Sequence, residues 1–403
     1  MTRNMSTAAV LFTGGSPRAS PGAGSGFCAE GTAARAVGAT LRRRGIRPRG
    51  GRGLSGRDFE ERLERFLTAK LGDASEVRVR SLERNTEGFS QETFSFDVEI
   101  HRGGGRELRG YVLKREPEAG LLEPYDLEPE FRVLHALSDD PLPSPPTPWF
   151  EADPAVLDRP FYVMEKLPGE VPVPAGGPDG TGPFTEGERN SLGPQVAQAL
   201  ARLHAVDWRK LGLEFLGVPA AGRGAGEREL ARWEQRLERA GLPVPPILEE
   251  SLLWLRAHVP ETDEITLVQG DYRLGNFLVA CDGESARLLG ILDWEMVHLG
   301  DPLEDLAWCS SELWRGGTPW AGTMLPPEEF AAAYAAASGR EVDSGRMAFY
   351  GLLATVKMIA IMWTGLRAFD EGRTRDLRMA IFDHQLPFLY ALLAASRGWL
   401  PGV

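Results

Sequence analysis

Residues 267–276 read Leu-Val-Gln-Gly-Asp-Tyr-Arg-Leu-Gly-Asn, and residues 291–295 read Ile-Leu-Asp-Trp-Glu. Between these stretches lie two short apolar runs, Phe277 to Ala280 and Leu288 to Leu292, with a turn at Asp282-Gly283. That is the pattern of a β-hairpin. A hairpin carries the chain out and back, so it returns Asp293 to the neighbourhood of Asn276. Asp271 and Asn276 stand five apart in the loop that leads into it. Phosphoryl transfer needs one carboxylate to orient an attacking hydroxyl and receive its proton. It also needs an amide and a second carboxylate to hold magnesium against the phosphates. Asp271 fills the first role, and Asn276 and Asp293 fill the second. The spacing D-x-x-x-x-N alone occurs by chance in Asp-rich turns; the hairpin and the Ile-x-Asp-Trp-Glu run give it weight.

Downstream of this hairpin the chain reads as helical, with long helices over about 327–338, 346–368 and 374–395. Upstream, Thr185 and Glu188 form a capping-box pattern ahead of Leu192, Val196, Leu200 and Leu203. Two more helices are expected over 226–240 and 247–258. The Gly/Pro-rich stretch 168–183 separates this helical half from a different one. There, Phe59, Leu63, Phe66, Leu67 and Leu71 share a helix face. Strand-like runs follow over 77–82, 93–100 and 108–114, the last two joined at Gly103-Gly104-Gly105. A helix over 128–137 and a strand over 161–164 complete a small α+β lobe.

The chain has 403 residues, suited to two lobes plus a tail. Residues 1–53 hold nine arginines against one acid and carry +8, which leaves −20 on residues 54–403. The segment has hardly any large apolar side chains at regular spacing, so it is expected to be disordered. An arginine-rich, acid-poor start also resembles an organellar transit peptide. The acidic remainder argues against nucleic acid and anionic membrane as partners. Cys28, Cys281 and Cys309 form no metal or disulfide spacing, which suits a reducing cytoplasm. The apolar stretch 349–363 is interrupted by Lys357 and is shorter than the roughly 20 residues of a membrane span. It reads as a buried helix. Oligomeric state is not legible.

The passage from Gln269 to Asn276, with Ile291 to Asp305 and its Leu299-Gly-Asp-Pro-Leu-Glu-Asp-Leu306, resembles the aminoglycoside phosphotransferase family. It is most similar to the small-molecule branch that includes the kinase-like domain attached to some acyl-CoA dehydrogenases. The resemblance runs from about Asp58 to Ala395. It implies a protein-kinase-like, two-lobed α+β fold, with a small N-terminal lobe over 54–167 built on an antiparallel sheet. A larger, mostly helical lobe occupies 168–403. The implied activity is transfer of the γ-phosphate of ATP, with Mg2+, to a hydroxyl of a small molecule: aminoglycoside-like, amino alcohol or hydroxyacyl.

Further roles follow from the resemblance. Lys114 looks like the lysine that pairs with the nucleotide phosphates, with Glu130 as its ion-pair partner and Arg115 as the alternative if the strand register slips by one. The loop 85–91 would cover the phosphates through Gly88 and Ser90. Met164, Glu165 and Leu167 resemble the hinge that holds adenine. Arg273, Glu295 and Glu312 are candidates for the acceptor side. Asp301 and Asp305 read as caps and braces of the helix that starts near Pro302. Trp308, Trp314 and Trp363 read as core, with the lining of a larger, less polar or acyl acceptor site, together with Arg367, as the alternative. One departure stands out: the family usually has His two residues before the base, and this chain has Gln269. It motivates a second reading, a nucleotide-binding protein that has lost catalysis.

Overall fold

The computed structural model describes residues 56–85, 90–173 and 182–398. The segment 1–53, Cys28 and Gly88 of the phosphate loop lie outside these residues. In helix α1 (Gly56–Lys70), Phe59, Leu63, Phe66 and Leu67 are all buried, as their three- and four-residue spacing requires of one helix face. They pack on a sheet built from β1 (Glu76–Asn85), β2 (Glu92–Arg102) and β3 (Gly105–Arg115). After helix α2 (Glu128–Ala136) come β4 (Trp149–Glu151), the one-turn helix α3 (Pro154–Leu157) and β5 (Phe161–Glu165). The order is β1-β2-β3-β5-β4, and every neighbouring pair is antiparallel. Arg102 pairs with Gly105, so Gly103 and Gly104 form a two-residue turn, and both have positive φ, 54° and 82°.

Side chains alternate across a strand, and this parity decides what β3 offers to each face. Tyr111 and Leu113 join the cluster under α1. Lys114 therefore faces the other way, toward α2 and the second lobe. Arg115 shares the α1 face: its guanidinium lies 5.2 Å from the Phe59 ring and 5.5 Å from that of Phe94, and it is bound by Glu92 and the carbonyl of Leu157.

The second lobe runs α4 (Glu186–His204), α5 (Gly224–Ala240), α6 (Pro246–Ala257), β6 (Thr266–Val268), β7 (Phe277–Cys281), β8 (Ala286–Ile291) and β9 (His298–Gly300). It ends with α7 (Leu303–Ser310), α8 (Pro327–Ser338), α9 (Ser344–Asp370) and α10 (Leu377–Ser396). The capping box of Thr185 and Glu188 starts α4. Strands β7 and β8 make the expected hairpin, and β6 pairs with β9 in a second ladder. Strands β4, β6 and β9 go beyond the sequence expectation; at three residues each they are too short to show alternation. Together the two parts make a two-lobed, protein-kinase-like α+β fold.

Helix α9 is longer than its most apolar stretch suggested. By length and composition alone it could cross a membrane, but 72% of its apolar window is buried inside the protein. It packs against α5, α7 and α10 and forms the spine of the helical lobe.

Candidate active site

The loop between β6 and β7 is fixed before it reaches Asp271. Asp305, on α7, accepts hydrogen bonds from the backbone N–H groups of Gln269 and Gly270, both at 2.8 Å. His204, buried on α4, backs Asp305 at 3.4 Å. Asp305 thus braces the loop, where the sequence suggested a brace for its own helix; Asp301 does cap that helix, accepting from Leu303 N at 2.9 Å. Gly270 has φ +85°, and a Cβ there would stand 2.6 Å from the carbonyl oxygen of Met296. Only glycine lets the loop pass this close to the neighbouring backbone.

Gln269 is fully buried. Its Oε1 accepts from Asp271 N at 2.7 Å, and its Nε2 donates to the carbonyls of Leu292 at 3.1 Å and Asp293 at 2.6 Å. One side chain therefore ties the Asp271 loop to the Asp293 loop. A primary amide has the donors and the acceptor for all three bonds.

Asp271 is 7% exposed. Its carboxylate accepts from Asn276 Nδ2 at 2.7 Å, Arg273 Nε at 2.9 and 3.1 Å, and the indole Nε1 of Trp308 at 2.8 Å. Burial raises its pKa above the ordinary carboxylate value, while Arg273 opposes the rise. Asn276 closes a single 3-10 turn, and its Nδ2 also donates to Asp271 O. Its carbonyl accepts from Leu292 N at 2.8 Å, which sets Asn276 beside the start of the Asp293 loop.

Asp293 adopts φ +61°, uncommon for a residue with a side chain. Its Oδ1 stands 2.5 Å from Lys114 Nζ, and Lys114 lies 3.3 Å from Glu130 Oε1. Burial works against the Lys114 charge, but Asp293 and Glu130 outweigh it and raise the lysine pKa well above its ordinary value. Glu130 also accepts from Trp294 N at 3.1 Å and from Gln91 Nε2 at 2.8 Å. Lys114 and Glu130 thus join the small lobe to the loop that carries Asp293.

Of the remaining candidates, Ser90 is buried beside Glu295. Glu295 has a carboxyl pKa pushed well up by burial and then by Asp293. At the hinge, Met164 and Glu165 end β5, Glu165 N donates to Pro146 O, and Lys166 N donates to Gly110 O. Those bonds anchor the chain to its neighbours just ahead of Leu167. Arg273 lies against Asp271, with its guanidinium 4.5 Å from the Trp314 ring centroid. Glu312 is not brought into this group. Its side chain is 57% exposed and pairs with Arg315 at 2.5 Å.

A cavity of about 440 Å³ opens beside Glu130 and Glu295. Arg228, Arg232 and Arg236 line it from successive turns of α5, with Glu229 and His298 between them. Arg236 is held down to about 10 by burial and by Arg232. A second cavity of about 470 Å³ shares Pro124, Tyr125 and Arg236, and adds Arg239, Arg367 and Arg373 together with Glu116, Glu118 and Glu123. Of these arginines the sequence offers only Arg367 as lining for an acceptor site; the others were not candidates, although the four-residue spacing of Arg228, Arg232 and Arg236 is visible.

Residues 81–350 match the phosphotransferase enzyme family (APH). Acyl-CoA dehydrogenase family member 11 of Gallus gallus is 30% identical over 315 residues, which cover 74% of this chain and 38% of that protein. Acyl-CoA dehydrogenase family member 10 of Mus musculus is 30% identical over 255 residues, 62% of this chain and 22% of that protein. The chain thus spans well under half the length of these relatives. Among solved structures, a proposed aminoglycoside phosphotransferase from Ralstonia eutropha superposes with a TM-score of 0.63 at 22% identity, covering 83% of this chain and 97% of that one. Macrolide 2'-phosphotransferase type I does so with a TM-score of 0.52 at 20% identity, covering 83% and 99%. At these identities the likeness is one of fold.

Proposed function

Because the chain belongs to the phosphotransferase enzyme family, we propose that it moves the γ-phosphate of ATP to a hydroxyl group on a small anionic molecule. The observation that carries this reading is the convergence of Asp271, Asn276, Asp293, Lys114 and Glu130 from a strand, a helix, a 3-10 turn and two loops into one linked set. Asp271 would orient the acceptor hydroxyl and take its proton as the oxygen attacks the γ-phosphorus. The bond from that phosphorus to the bridging oxygen breaks, and ADP leaves. Lys114, freed in part from Asp293, would hold nucleotide phosphate oxygens, with Glu130 keeping it in place.

The residues present fit a magnesium ion. Asn276 spends its Nδ2 on Asp271, which leaves its amide oxygen available, and the Asp293 side chain is 27% exposed. Two oxygen donors suit a metal that keeps waters and phosphate oxygens in its shell. When bound, it would offset charge on the phosphates.

The bonds made by Gln269 support transfer over the reading of a lapsed site, since they hold both loops at once. Arg228, Arg232 and Arg236 offer guanidinium donors to a negatively charged group of the acceptor, in a cavity that Asp126, Glu130, Glu229 and Glu295 also line. Among the expected classes, a hydroxyacyl thioester of coenzyme A fits best, and it agrees with the acyl-CoA in the relatives' names.

The test is transfer of labelled γ-phosphate from magnesium-ATP to separate pools of hydroxyacyl-CoA esters, amino alcohols and aminoglycosides. The Asp271→Asn variant runs alongside. Label should enter the first pool and fail to do so in the variant. Label entering only the aminoglycosides would overturn the acceptor class, and equal transfer by the variant would overturn the base.

A further inference from the structure

A lysine in the middle of an apolar core helix needs partners, because an unpaired buried charge is strongly disfavoured. Lys357 sits halfway along α9 and is 2% exposed. Its Nζ donates to the carbonyl of Gly270, the residue just before Asp271. It also lies 3.4 Å from Glu304 Oε1. Two indole rings complete its surroundings: Trp308 at 4.3 Å and Trp233 at 5.4 Å from centroid to Nζ. Trp308 in turn gives its one polar atom to Asp271, with Nε1 2.8 Å from Oδ1.

Lys357 therefore touches the Asp271 loop by two routes, through the Gly270 carbonyl and through the face of the ring whose edge meets Asp271. Of the donors to that carboxylate, Trp308 and Asn276 are buried, whereas Arg273 is partly exposed. An acceptor hydroxyl can displace Arg273; it cannot displace the indole. The indole holds Oδ1 while Asn276 holds Oδ2, and with both bonds in place the carboxylate cannot turn about its own axis.

We propose that Trp308, with Lys357 behind it, is a positioning residue that sets the Asp271 carboxylate for proton acceptance. This rests on the reading of Asp271 as the base. Small misplacements of a reacting group cost up to about 10²-fold in rate, so the loss should fall on kcat.

The experiment uses the full chain and the variants Trp308→Phe and Lys357→Met, each in the wild-type and Asp271→Asn backgrounds. Trp308→Phe keeps a flat ring and removes only the N–H and the second ring. It should lower kcat about 10–100-fold and leave KM for ATP and for the acceptor within about threefold. In the Asp271→Asn background it should cost nothing more, because a residue that acts through Asp271 has nothing left to position. The 15N indole signal of Trp308, identified by its loss in Trp308→Phe, should shift in both Asp271→Asn and Lys357→Met.

A kcat within threefold of wild type in Trp308→Phe would overturn the proposal, as would the same loss in both backgrounds. If wild type and Asp271→Asn both fail to transfer phosphate, the reading of the base fails, and the indole signal alone decides the brace. An indole signal indifferent to Asp271→Asn overturns it. Should Lys357→Met not fold, Trp308→Phe still decides.

Discussion

On the small-lobe side of the cleft, Lys114 reaches Glu130 and Asp293 by side chain alone, and Asp293 keeps 27% of its side chain open. On the helical side, Asp271 is held at its backbone N–H by Gln269 and at its carboxylate by Trp308, Asn276 and Arg273, and the two residues ahead of it are pinned by Asp305. The first arrangement can be rearranged by a ligand, since one ion pair is all that must open. The second has a partner for nearly every polar atom and is set before any ligand arrives. A base needs fixed direction, whereas groups that receive phosphate and metal need freedom to exchange partners.

The sharpest way to break this contrast is to remove one carboxylate from each side. Asp271→Asn should lower kcat by about 10²–10⁴-fold with magnesium-ATP binding nearly unchanged by calorimetry. Asp293→Ala should instead abolish the dependence of nucleotide binding on magnesium. If the two variants lost binding to the same extent, the two sides would not be doing different work.

Charge reversal at the cavity is the next largest effect. Arg232→Glu combined with Arg236→Glu should raise KM for an anionic acceptor by about 10–100-fold, as expected for losing one or two charge-assisted bonds. KM for ATP should stay within twofold. A variant that preferred cationic acceptors would strengthen the assignment; unchanged KM for every acceptor would move the acceptor site elsewhere.

Gln269 sharpens the comparison at the point where the two sides join. Gln269→Leu leaves Asp271 N without its partner and two carbonyls without their donor, which should destabilise the fold by about 1–3 kcal/mol in denaturant melts and also lower kcat. Gln269→His should bring no gain in kcat, because the glutamine already spans both loops. A large gain would mean that the amide serves the site poorly.

The sequence carried the chemistry of this centre further than its support. Asp271, Asn276 and Asp293 are close in sequence and joined by a hairpin, so local pattern is enough to bring them together. Lys114 and Arg115 are told apart only by strand parity, and parity needs to know which face α1 covers. Asp305 reaches back over more than 30 residues to Gln269 and Gly270, a direction that no local spacing encodes. Trp308 reads as core and is 2% exposed, yet the aim of its single N–H depends on how α7 meets the loop. Lys357 did leave a signal, a lone charge in an apolar run, and burial turns that oddity into a question about partners. Gly88, expected over the phosphates, lies outside the described residues; of that loop the structure describes Ser90 and Gln91, both buried.

The smallest expected effect concerns His298 in the wall of the arginine-bearing cavity, where its ring meets Glu229 of α5 and Glu304 of α7. Its Nε2 lies 3.1 Å from Glu304 Oε2 and 3.6 Å from Glu229 Oε1, and its Nδ1 lies 2.9 Å from the carbonyl of Met296. Burial disfavours the charged ring, but the two carboxylates outweigh it and raise the histidine pKa above its ordinary value, even with Arg232 opposing. Burial works on Glu229 as well, yet His298 and Arg232 hold that carboxyl down at about 2. A pKa raised on folding means that the folded protein keeps a proton the unfolded chain gives up. The stabilisation is then complete below the unfolded value of about 6.5 and is lost as pH rises through the folded value. Thermal melts from pH 6 to pH 9 should show wild-type Tm falling with pH. His298→Gln, which can still donate to one carboxylate but does not titrate, should give a flatter profile. Parallel profiles would mean that the ring is neutral in the folded protein and that Lys357 and Arg232 balance the two carboxylates without it.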